Sequence, residues 1–216
     1  MSGDDSQATR ETKGQRTAKR LLDVAEELFA TRGYDGTSLR QIADLAGIAQ
    51  PGLYNHFAGK EALYEAVLFR ALNPMAEALT RHMSAASSLH EYTDLPAVMT
   101  DLLYDHPRMA ALFQRALQGD TASIGNQMVY AWLETLFDQG MQSMAPYGEG
   151  DSPELNNKEA RAELAINLIG MFNLTTGYFL SERVFASLAE GDLLDPENVA
   201  RQKNLLRKVI RAMLVS

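Results

Sequence analysis

One short segment of the chain carries residues that are suited to contacting duplex DNA. Gln50 and Asn55 have side-chain amides that can form two hydrogen bonds with the edge of an adenine. Tyr54 and His56 suit phosphate oxygens, which position a protein on DNA without reading its sequence. Gly52 has no side chain, so it allows the backbone to approach a duplex closely. The alternative interpretation is an ordinary polar surface helix.

The preceding residues predict two short helices and a tight turn that would hold this segment in place. Ser38 can cap the first helix, and Gln41, three residues later, completes a capping box. Gly47 can adopt the left-handed conformation that ends a helix, and Pro51 fits the first turn of the next one. This order predicts a helix-turn-helix over residues 37–57, whose second helix enters the major groove.

Apolar side chains in the same stretch are expected to cover the inner side of the motif. Ile42 and Leu45 are predicted to share one face of the first helix. The second helix is predicted over residues 50–57, with Leu53 and Phe57 packing inward. These positions would leave the polar side chains of that helix facing outward.

The order and spacing of these elements closely resemble the N-terminal domain of TetR-family transcriptional regulators, over about sixty residues. Ala49 stands where the family usually has Ser, so the second helix loses a side-chain cap. Gly59 stands where the family often has Ser, and Gly is an acceptable cap. The residues that carry the resemblance are Ala25-Glu-Glu-Leu-Phe29, Arg32-Gly-Tyr-Asp-Gly-Thr-Ser38, Ile42-Ala43, Ala46-Gly47-Ile48, Leu53-Tyr54-Asn55-His56-Phe57 and Lys60-Glu61-Ala62-Leu63.

Residues at predicted helix starts are further candidates for phosphate contact. Backbone amides and the helix dipole favour an anion at the helix that follows Thr37, and Lys60 stands at the start of a later helix. Lys13 and Arg16 could reach the DNA backbone or the minor groove, or simply be solvated. The complete predicted DNA-contacting set is Lys13, Arg16, Thr37, Ser38, Arg40, Gln50, Pro51, Gly52, Tyr54, Asn55, His56 and Lys60.

Composition and charge narrow the alternatives. The net charge is −8, yet eight Lys or Arg stand against six Asp or Glu between Arg10 and Lys60, so the acidic excess lies elsewhere. The chain has no cysteine, which excludes disulfides and thiolate metal sites and fits a reducing compartment. Its polar, acidic N-terminus is not a secretory signal, so we expect a cytoplasmic protein. The four histidines have no metal-ligand spacing, so no metal or cofactor is expected.

The hydrophobic spacing predicts an all-α fold, because no alternating strand pattern of useful length occurs. Residues 1–12 are expected to form a disordered tail and residues 13–73 the DNA-binding domain. Residues 74–216 are expected to form a larger helical domain for effector binding and dimerisation. A helix starting at Lys60 is predicted to end at Leu72, before a kink or boundary at Asn73-Pro74.

Two C-terminal segments are predicted to pair with those of a second copy as a four-helix bundle. Residues 158–189 could form a single helix, and residues 197–215 a second one. Residues 164–181 are free of charge, which could suggest a membrane span, but polar residues and glycines interrupt them, so a helix buried on both sides is the better interpretation. The predicted dimer interface is Gly170, Asn173, Gly177, Ser181, Leu206, Ile210 and Met213.

The helices between Pro74 and Tyr178 are rich in methionine and aromatic residues. Such residues usually fill a core, but they also line adaptable apolar ligand sites. We therefore expect a pocket for a small lipophilic effector, with a solid core as the alternative. The scarcity of clustered Lys or Arg argues against a phosphorylated or strongly anionic effector. The candidate pocket residues are Phe113, Met128, Trp132, Asn167, Phe172 and Asn173.

These features together predict a homodimeric repressor that an effector releases from a palindromic operator. An activator, or a regulator without a ligand, is the alternative within the same class. An enzyme would need converging titratable groups, whereas Glu134, Asp138 and His106 are scattered, so we expect none. A third alternative is a structural DNA-binding protein, which would lack an enclosed cavity.

Overall fold

The computed structural model describes residues 12–85, 93–144 and 158–215. These residues form ten α-helices and contain no β-strand, which confirms the all-α prediction. The predicted N-terminal tail lies outside the described residues, apart from Thr12. The helices are α1 (Lys13–Arg32), α2 (Leu39–Leu45), α3 (Gln50–Leu53), α4 (Lys60–Ala85), α5 (Leu95–Asp105), α6 (Arg108–Gln118), α7 (Ile124–Met144), α8 (Lys158–Phe179), α9 (Glu182–Leu188) and α10 (Pro196–Val215).

The first of two compact units, Met1–Val67, packs α1 against α2 and α2 against α3. Thr12 begins α1 with a capping box that it shares with Gln15, and Gly33 ends the helix with a φ of 75°. Apolar residues spaced by three or four positions form the core of this unit. Its buried side chains include Leu21, Ala25, Leu28, Phe29, Ile42, Ala43, Leu53, Leu63 and Val67.

Helix α4 is longer than the sequence predicted, because it continues through Pro74 to Ala85 instead of ending at Leu72. A proline in a helix interior removes one hydrogen bond and costs about 3 kcal/mol. Buried apolar side chains before and after Pro74 continue the core-facing stripe, so packing maintains the helix there. The two compact units divide after Val67, and the domain limits predicted near residue 73 stay a prediction. The buried side chains around the proline are Ala71, Leu72, Met75 and Leu79.

In the second unit, Leu68–Ser216, α5 packs against both α8 and α10, and α6 packs against α7. Two ion pairs join α10 to α5 and to Asp94, the residue just before α5. Lys203 Nζ lies 2.7 Å from an Asp101 carboxylate oxygen, and Arg207 Nε lies 2.7 Å from Asp94 Oδ1. No helix in the described part of the chain is long and apolar enough to cross a membrane.

Residues 158–189 do not form the single helix that the sequence predicted, because α8 ends at Phe179 and α9 begins three residues later. The Leu180 amide and the Ser181 hydroxyl both donate to the carbonyl of Gly177, at 3.2 and 2.7 Å. These bonds tighten the last turn of α8, and they leave α9 without a side-chain cap. The apolar pattern continues past this point, so it did not reveal the break.

Candidate nucleic-acid interface and apolar cavity

Hydrogen bonds between neighbouring residues build the predicted helix-turn-helix. The Gln41 amide donates to Ser38 Oγ at 3.2 Å, and the Ser38 amide donates to Gln41 Oε1 at 3.0 Å, which confirms the capping box. Gly47 has a φ of 65°, where a side chain would be strained. The Ile48 amide then donates to the carbonyl of Ala43 at 3.0 Å and closes the turn.

The second helix of the motif is shorter than predicted. Helix α3 covers only Gln50–Leu53, and residues 54–56 continue it as a turn. The amides of His56 and Phe57 both donate to the Leu53 carbonyl, at 2.9 and 3.0 Å. Ala49 offers no side-chain cap, as its replacement of Ser predicted. The segment at residues 50–57 is therefore one helical turn extended by tighter turns.

The side chains predicted to contact DNA lie mainly on the outside of this motif. Gln50, Tyr54 and Asn55 are exposed and His56 is half-buried, while Leu53 is fully buried beneath them. The buried Leu53 therefore fixes this segment to the core of the unit, and the amides of Gln50 and Asn55 and the phenol of Tyr54 remain accessible to DNA. The other predicted contacts that are exposed are Lys13, Arg16, Ser38, Arg40 and Pro51.

The packing of the chain does not require a glycine at position 52. A Cβ at Gly52 would meet only Ile48 Cδ1, at the ordinary contact distance of 4.0 Å. Glycine within a helix is less stable than alanine by about 1 kcal/mol. The missing side chain thus leaves space on the outer surface of the motif, beside the predicted DNA-contacting residues.

Thr37 is removed from the predicted DNA-contacting set, because its side chain is only 2% exposed. Its hydroxyl donates to the Gly33 carbonyl at 2.8 Å, and its amide donates to the Tyr34 carbonyl at 3.2 Å. Both polar groups therefore hold the loop between α1 and α2. Thr37 supports the start of α2 from inside.

Leu45 was predicted to share the inner face of α2 with Ile42, and this was wrong. Leu45 is 65% exposed, whereas Ile42, Ala43 and Ala46 are buried. At 100° per residue, the centre of that buried stripe lies about 100° from the direction of Leu45. The small alanines belong to the core because they allow the neighbouring helices to come close.

Lys60 has a structural contact besides its predicted contact with phosphate. Its Nζ lies 4.2 Å from the centre of the Tyr34 ring, in a cation–π arrangement, and the Tyr64 ring lies 5.0 Å from Tyr34. Burial raises the pKa of the Tyr34 hydroxyl, and the carboxylates of Glu61 and Asp35 raise it further. Replacing Lys60 would therefore disturb the first turn of α4 as well as any DNA contact.

The second unit contains an apolar cavity of about 630 Å³. Its walls come mainly from α4, α5, α7 and α8, and methionine and aromatic residues contribute to them, as the sequence suggested. The lining residues are Leu79, Met83, Leu95, Pro96, Met99, Leu117, Tyr130, Leu133, Glu134, Leu136, Phe137, Ala165, Leu168, Ile169, Met171, Phe172, Asn173 and Thr175.

Of the six residues predicted to line a pocket, Phe172 and Asn173 do so. Phe113, Met128, Trp132 and Asn167 are not among the lining residues, so these four assignments are corrected. These four side chains lie on sides of their helices that are not turned toward the cavity. The composition of a segment does not reveal which side of its helix will face a cavity. The residues that α7 turns toward the cavity are Tyr130, Leu133, Glu134, Leu136 and Phe137.

Trp132, the only tryptophan in the sequence, lies behind the cavity wall. Its ring stacks on the fully buried Phe113 with centroids 5.5 Å apart, and Phe113 lies 6.3 Å from Phe172. The indole N–H of Trp132 is buried and has no hydrogen-bond acceptor in the described part of the chain. Trp132 can therefore report changes at the wall although it does not form the wall.

Helix α8 leaves apolar side chains exposed in the single chain, although the sequence predicted a helix buried on both sides, one of them against a second copy. Ile166 and Leu174 are exposed, and so are Ile169 and the predicted interface residue Asn173, which also line the cavity. A Cβ added to the neighbouring glycines would meet no atom within 4 Å, so no described residue fills the space beside them. These glycines are Gly170 and Gly177, and further exposed apolar residues are Leu180, Val184, Leu188 and Leu205.

Two predicted interface residues on α10 face the interior of their own chain. Leu206 is 0% exposed and Ile210 is 9% exposed, so their side chains are not available to a second copy. The side chain of Met213 lies outside the described part of the chain. Among the described side chains of α10, Leu205 is a large apolar residue that is exposed, whereas Val199, Leu206 and Ile210 are buried. These buried residues lie four or seven positions apart along one side of α10. This spacing in the sequence is the signal that predicts which side of the helix faces the core.

Comparison with known proteins places the sequence similarity in the first unit. Residues 21–67 match the family described as bacterial regulatory proteins, tetR family. The transcriptional repressor KstR2 of Rhodococcus jostii is 49% identical over 55 residues, which are 26% of each chain. The transcriptional regulator RutR of Escherichia coli is 34% identical over 99 residues, which are 44% of this chain and 45% of RutR. The chain thus spans less than half the length of these two curated relatives.

The likeness of fold extends beyond the region of sequence similarity. The transcriptional regulator FadR of Bacillus subtilis, solved in complex with stearoyl-CoA, aligns with a TM-score of 0.63 at 17% identity. The alignment covers 87% of this chain and 96% of that one. The family and the relatives named are transcriptional regulators and not enzymes. The match over residues 21–67, which include the helix-turn-helix, supports a regulator of the TetR family, and the likeness to FadR shows that the fold is shared.

Proposed function

We propose that the chain is a homodimeric DNA-binding repressor, which a small lipophilic ligand releases from a palindromic operator. The observation that carries the DNA-binding part is the exposed group of Gln50, Tyr54 and Asn55 on a helix-turn-helix anchored by the buried Leu53. Amides suit base edges and a phenol suits phosphates. A relative that is named a repressor, KstR2, matches in this part of the sequence. Because the proposed partner is chromosomal DNA, we infer a cytoplasmic location.

The dimer would form through the exposed side of α8. Ile166 and Leu174 expose apolar surface there, and surfaces of this kind mark interaction sites. Gly170 and Gly177 leave space in which the backbone of a second copy could approach closely. A two-fold interface is self-complementary, and it would present two recognition helices to the two halves of a palindrome. In this arrangement Leu205 takes the place on α10 that the sequence suggested for Leu206.

The cavity would hold the ligand. Its volume of about 630 Å³ lies within the range of roughly 300–1,000 Å³ that is usual for small-molecule sites. None of the described lining residues is Lys or Arg, which favours a lipophilic ligand over one that carries phosphate. We propose that the occupied cavity favours a conformation in which the recognition helices no longer match successive major grooves. Operator affinity would then fall through the coupling between two sites.

The test is selection of an operator from a random duplex library, followed by mobility shifts at fixed salt with added lipophiles. A palindromic operator that lipophiles release supports the repressor. Binding that a lipophile strengthens would contradict the proposed release, and operator binding that no lipophile changes would indicate a regulator without a ligand. Failure to select any duplex would refute the DNA-binding proposal. Saturable changes in Trp132 fluorescence should accompany release, because its ring lies behind the Phe172 wall.

A further inference from the structure

The buried end of the cavity offers only apolar surface to a ligand. Leu79, Met83 and Met99 line the cavity and are buried. Thr175, which is also buried there, donates its hydroxyl to the Met171 carbonyl of its own helix at 2.8 Å. Because that hydroxyl proton is already engaged, a ligand segment at this end gains most by being apolar.

The exposed lining residues form the rim of the cavity, where polar side chains lie beside the apolar Leu168 and Ile169. Tyr130 is 64% exposed, and Glu134 and Asn173 are exposed as well. Tyr130 and Glu134 are one turn apart on α7, so their side chains are neighbours on one face of the helix. Glu134 is the only charged side chain among the described lining residues, and its carboxylate forms no ion pair or hydrogen bond in the described part of the chain.

We propose that the cavity takes a single-chain amphiphile, with its tail at the buried end and its head group at the rim. We further propose that Glu134 selects head groups that donate hydrogen bonds, a hydroxyl or an ammonium, over carboxylates. An ionised carboxylate accepts hydrogen bonds and cannot donate them. The Glu134 carboxylate therefore accepts a hydrogen bond from a hydroxyl and a stronger, charge-assisted hydrogen bond from an ammonium. It repels another carboxylate. This inference rests on the proposed ligand-binding function and adds the chemistry of the head group.

Three probes with the same twelve-carbon tail test this selection: dodecylammonium, 1-dodecanol and dodecanoate. Each is titrated at pH 7 into the full chain, the two ionic probes below their micelle concentrations and the alcohol below its solubility limit, with Trp132 fluorescence and calorimetry as readouts. The wild type should bind dodecylammonium about tenfold tighter than dodecanoate, with dodecanol between them. Glu134→Gln should reduce this ratio to about threefold or less, and Glu134→Lys should reverse it.

Asp138→Asn is the matched control, because Asp138 is exposed one turn further along α7 and does not line the cavity. It should leave the tenfold ratio unchanged. The inference is overturned if the wild type binds dodecanoate as tightly as dodecylammonium, or if Glu134→Gln leaves the preference intact. It is also overturned, together with the proposed lipophilic ligand, if none of the three probes binds. Selective binding that does not release the operator would instead contradict the proposed repressor while supporting the selection by Glu134.

Discussion

The helix-turn-helix and the cavity differ in how far apart in the sequence their parts lie. The bonds that shape the turn join Ser38 to Gln41 and Ala43 to Ile48. The cavity instead brings together side chains from Leu79 to Thr175 on several helices. A site built from neighbouring residues can be predicted from local rules of capping and turn formation. A site built from distant ones depends on which faces of the helices meet.

The two regions also use exposed aromatic and apolar groups differently. In the first unit, Tyr54 is exposed beside amides, which suits a polar and charged partner such as DNA. In the second unit, Ile166 and Leu174 are exposed on the helix that carries Gly170 and Gly177, which suits a second copy of the chain. The neighbours of an exposed side chain therefore indicate its partner better than its own type does.

The largest effect on stability is expected from Phe113→Ala. This substitution removes a fully buried ring, so it should lower the free energy of unfolding by about 3–5 kcal/mol. Phe172→Ala is the comparison, because the Phe172 ring is half-buried on the cavity wall and its loss should cost less while changing ligand affinity. Urea denaturation and ligand titration of both variants measure the two effects. Equal losses of stability, with ligand affinity unchanged, would contradict the distinction between core and wall.

Gly177→Trp is expected to produce monomers. The monomers should bind a palindromic operator about 100-fold or more weakly, because they lose the avidity of two linked half-site contacts. The chain should still fold, since a Cβ at Gly177 meets nothing within 4 Å. Light scattering, circular dichroism and mobility shifts measure assembly, folding and binding. Ala122→Trp adds the same bulk in the exposed turn before α7 and should leave the dimer intact. A wild type that is monomeric at micromolar concentration would refute the proposed interface.

Replacing Gln50 or Asn55 by Ala should change which operator is preferred, by about 1–3 kcal/mol for each lost pair of hydrogen bonds to a base. Tyr54→Ala should instead weaken binding to all sequences by a similar factor, because a phosphate contact carries no sequence information. Mobility shifts with the operator and its single-base variants separate the two patterns. Gln118→Ala, at an exposed position on α6, is the control. Unchanged operator affinity in all three recognition variants would exclude α3 from the interface.

The smallest effect is expected from Gly52→Ala, and it should have opposite signs for folding and for binding. The added methyl meets only ordinary contacts within the chain, so helix propensity should raise the stability by about 0.5–1 kcal/mol. The same methyl occupies the outer surface of the motif and should weaken DNA binding. Thermal denaturation and mobility shifts measure the two changes. A more stable variant that binds DNA as the wild type does would show that the duplex does not come close to position 52.

The sequence alone determined the helix-turn-helix of this protein. The capping box of Ser38 and Gln41, the left-handed turn at Gly47 and the missing cap at Ala49 all follow from residues within a few positions of one another. The family pattern and the all-α fold were predictable for the same reason, because local spacing carries them. Most of the proposed DNA-contacting residues were accordingly found exposed. Gly52, His56 and Lys60 are half-buried, and Thr37 is buried because its side chain supports the loop between α1 and α2.

Only the tertiary structure decided how the second unit uses its helices. Local rules place a helix end at Pro74, yet packing of the buried residues around it carries α4 on to Ala85. The sequence suggested the same role for Phe113 and Phe172, because both are aromatic residues in apolar helices. The packing of those helices makes Phe113 a core residue and Phe172 part of the cavity wall. Leu206 was predicted to face a partner and instead fills its own core. A helix with several apolar faces has more than one favourable way to pack, and contacts between residues far apart in sequence choose among them.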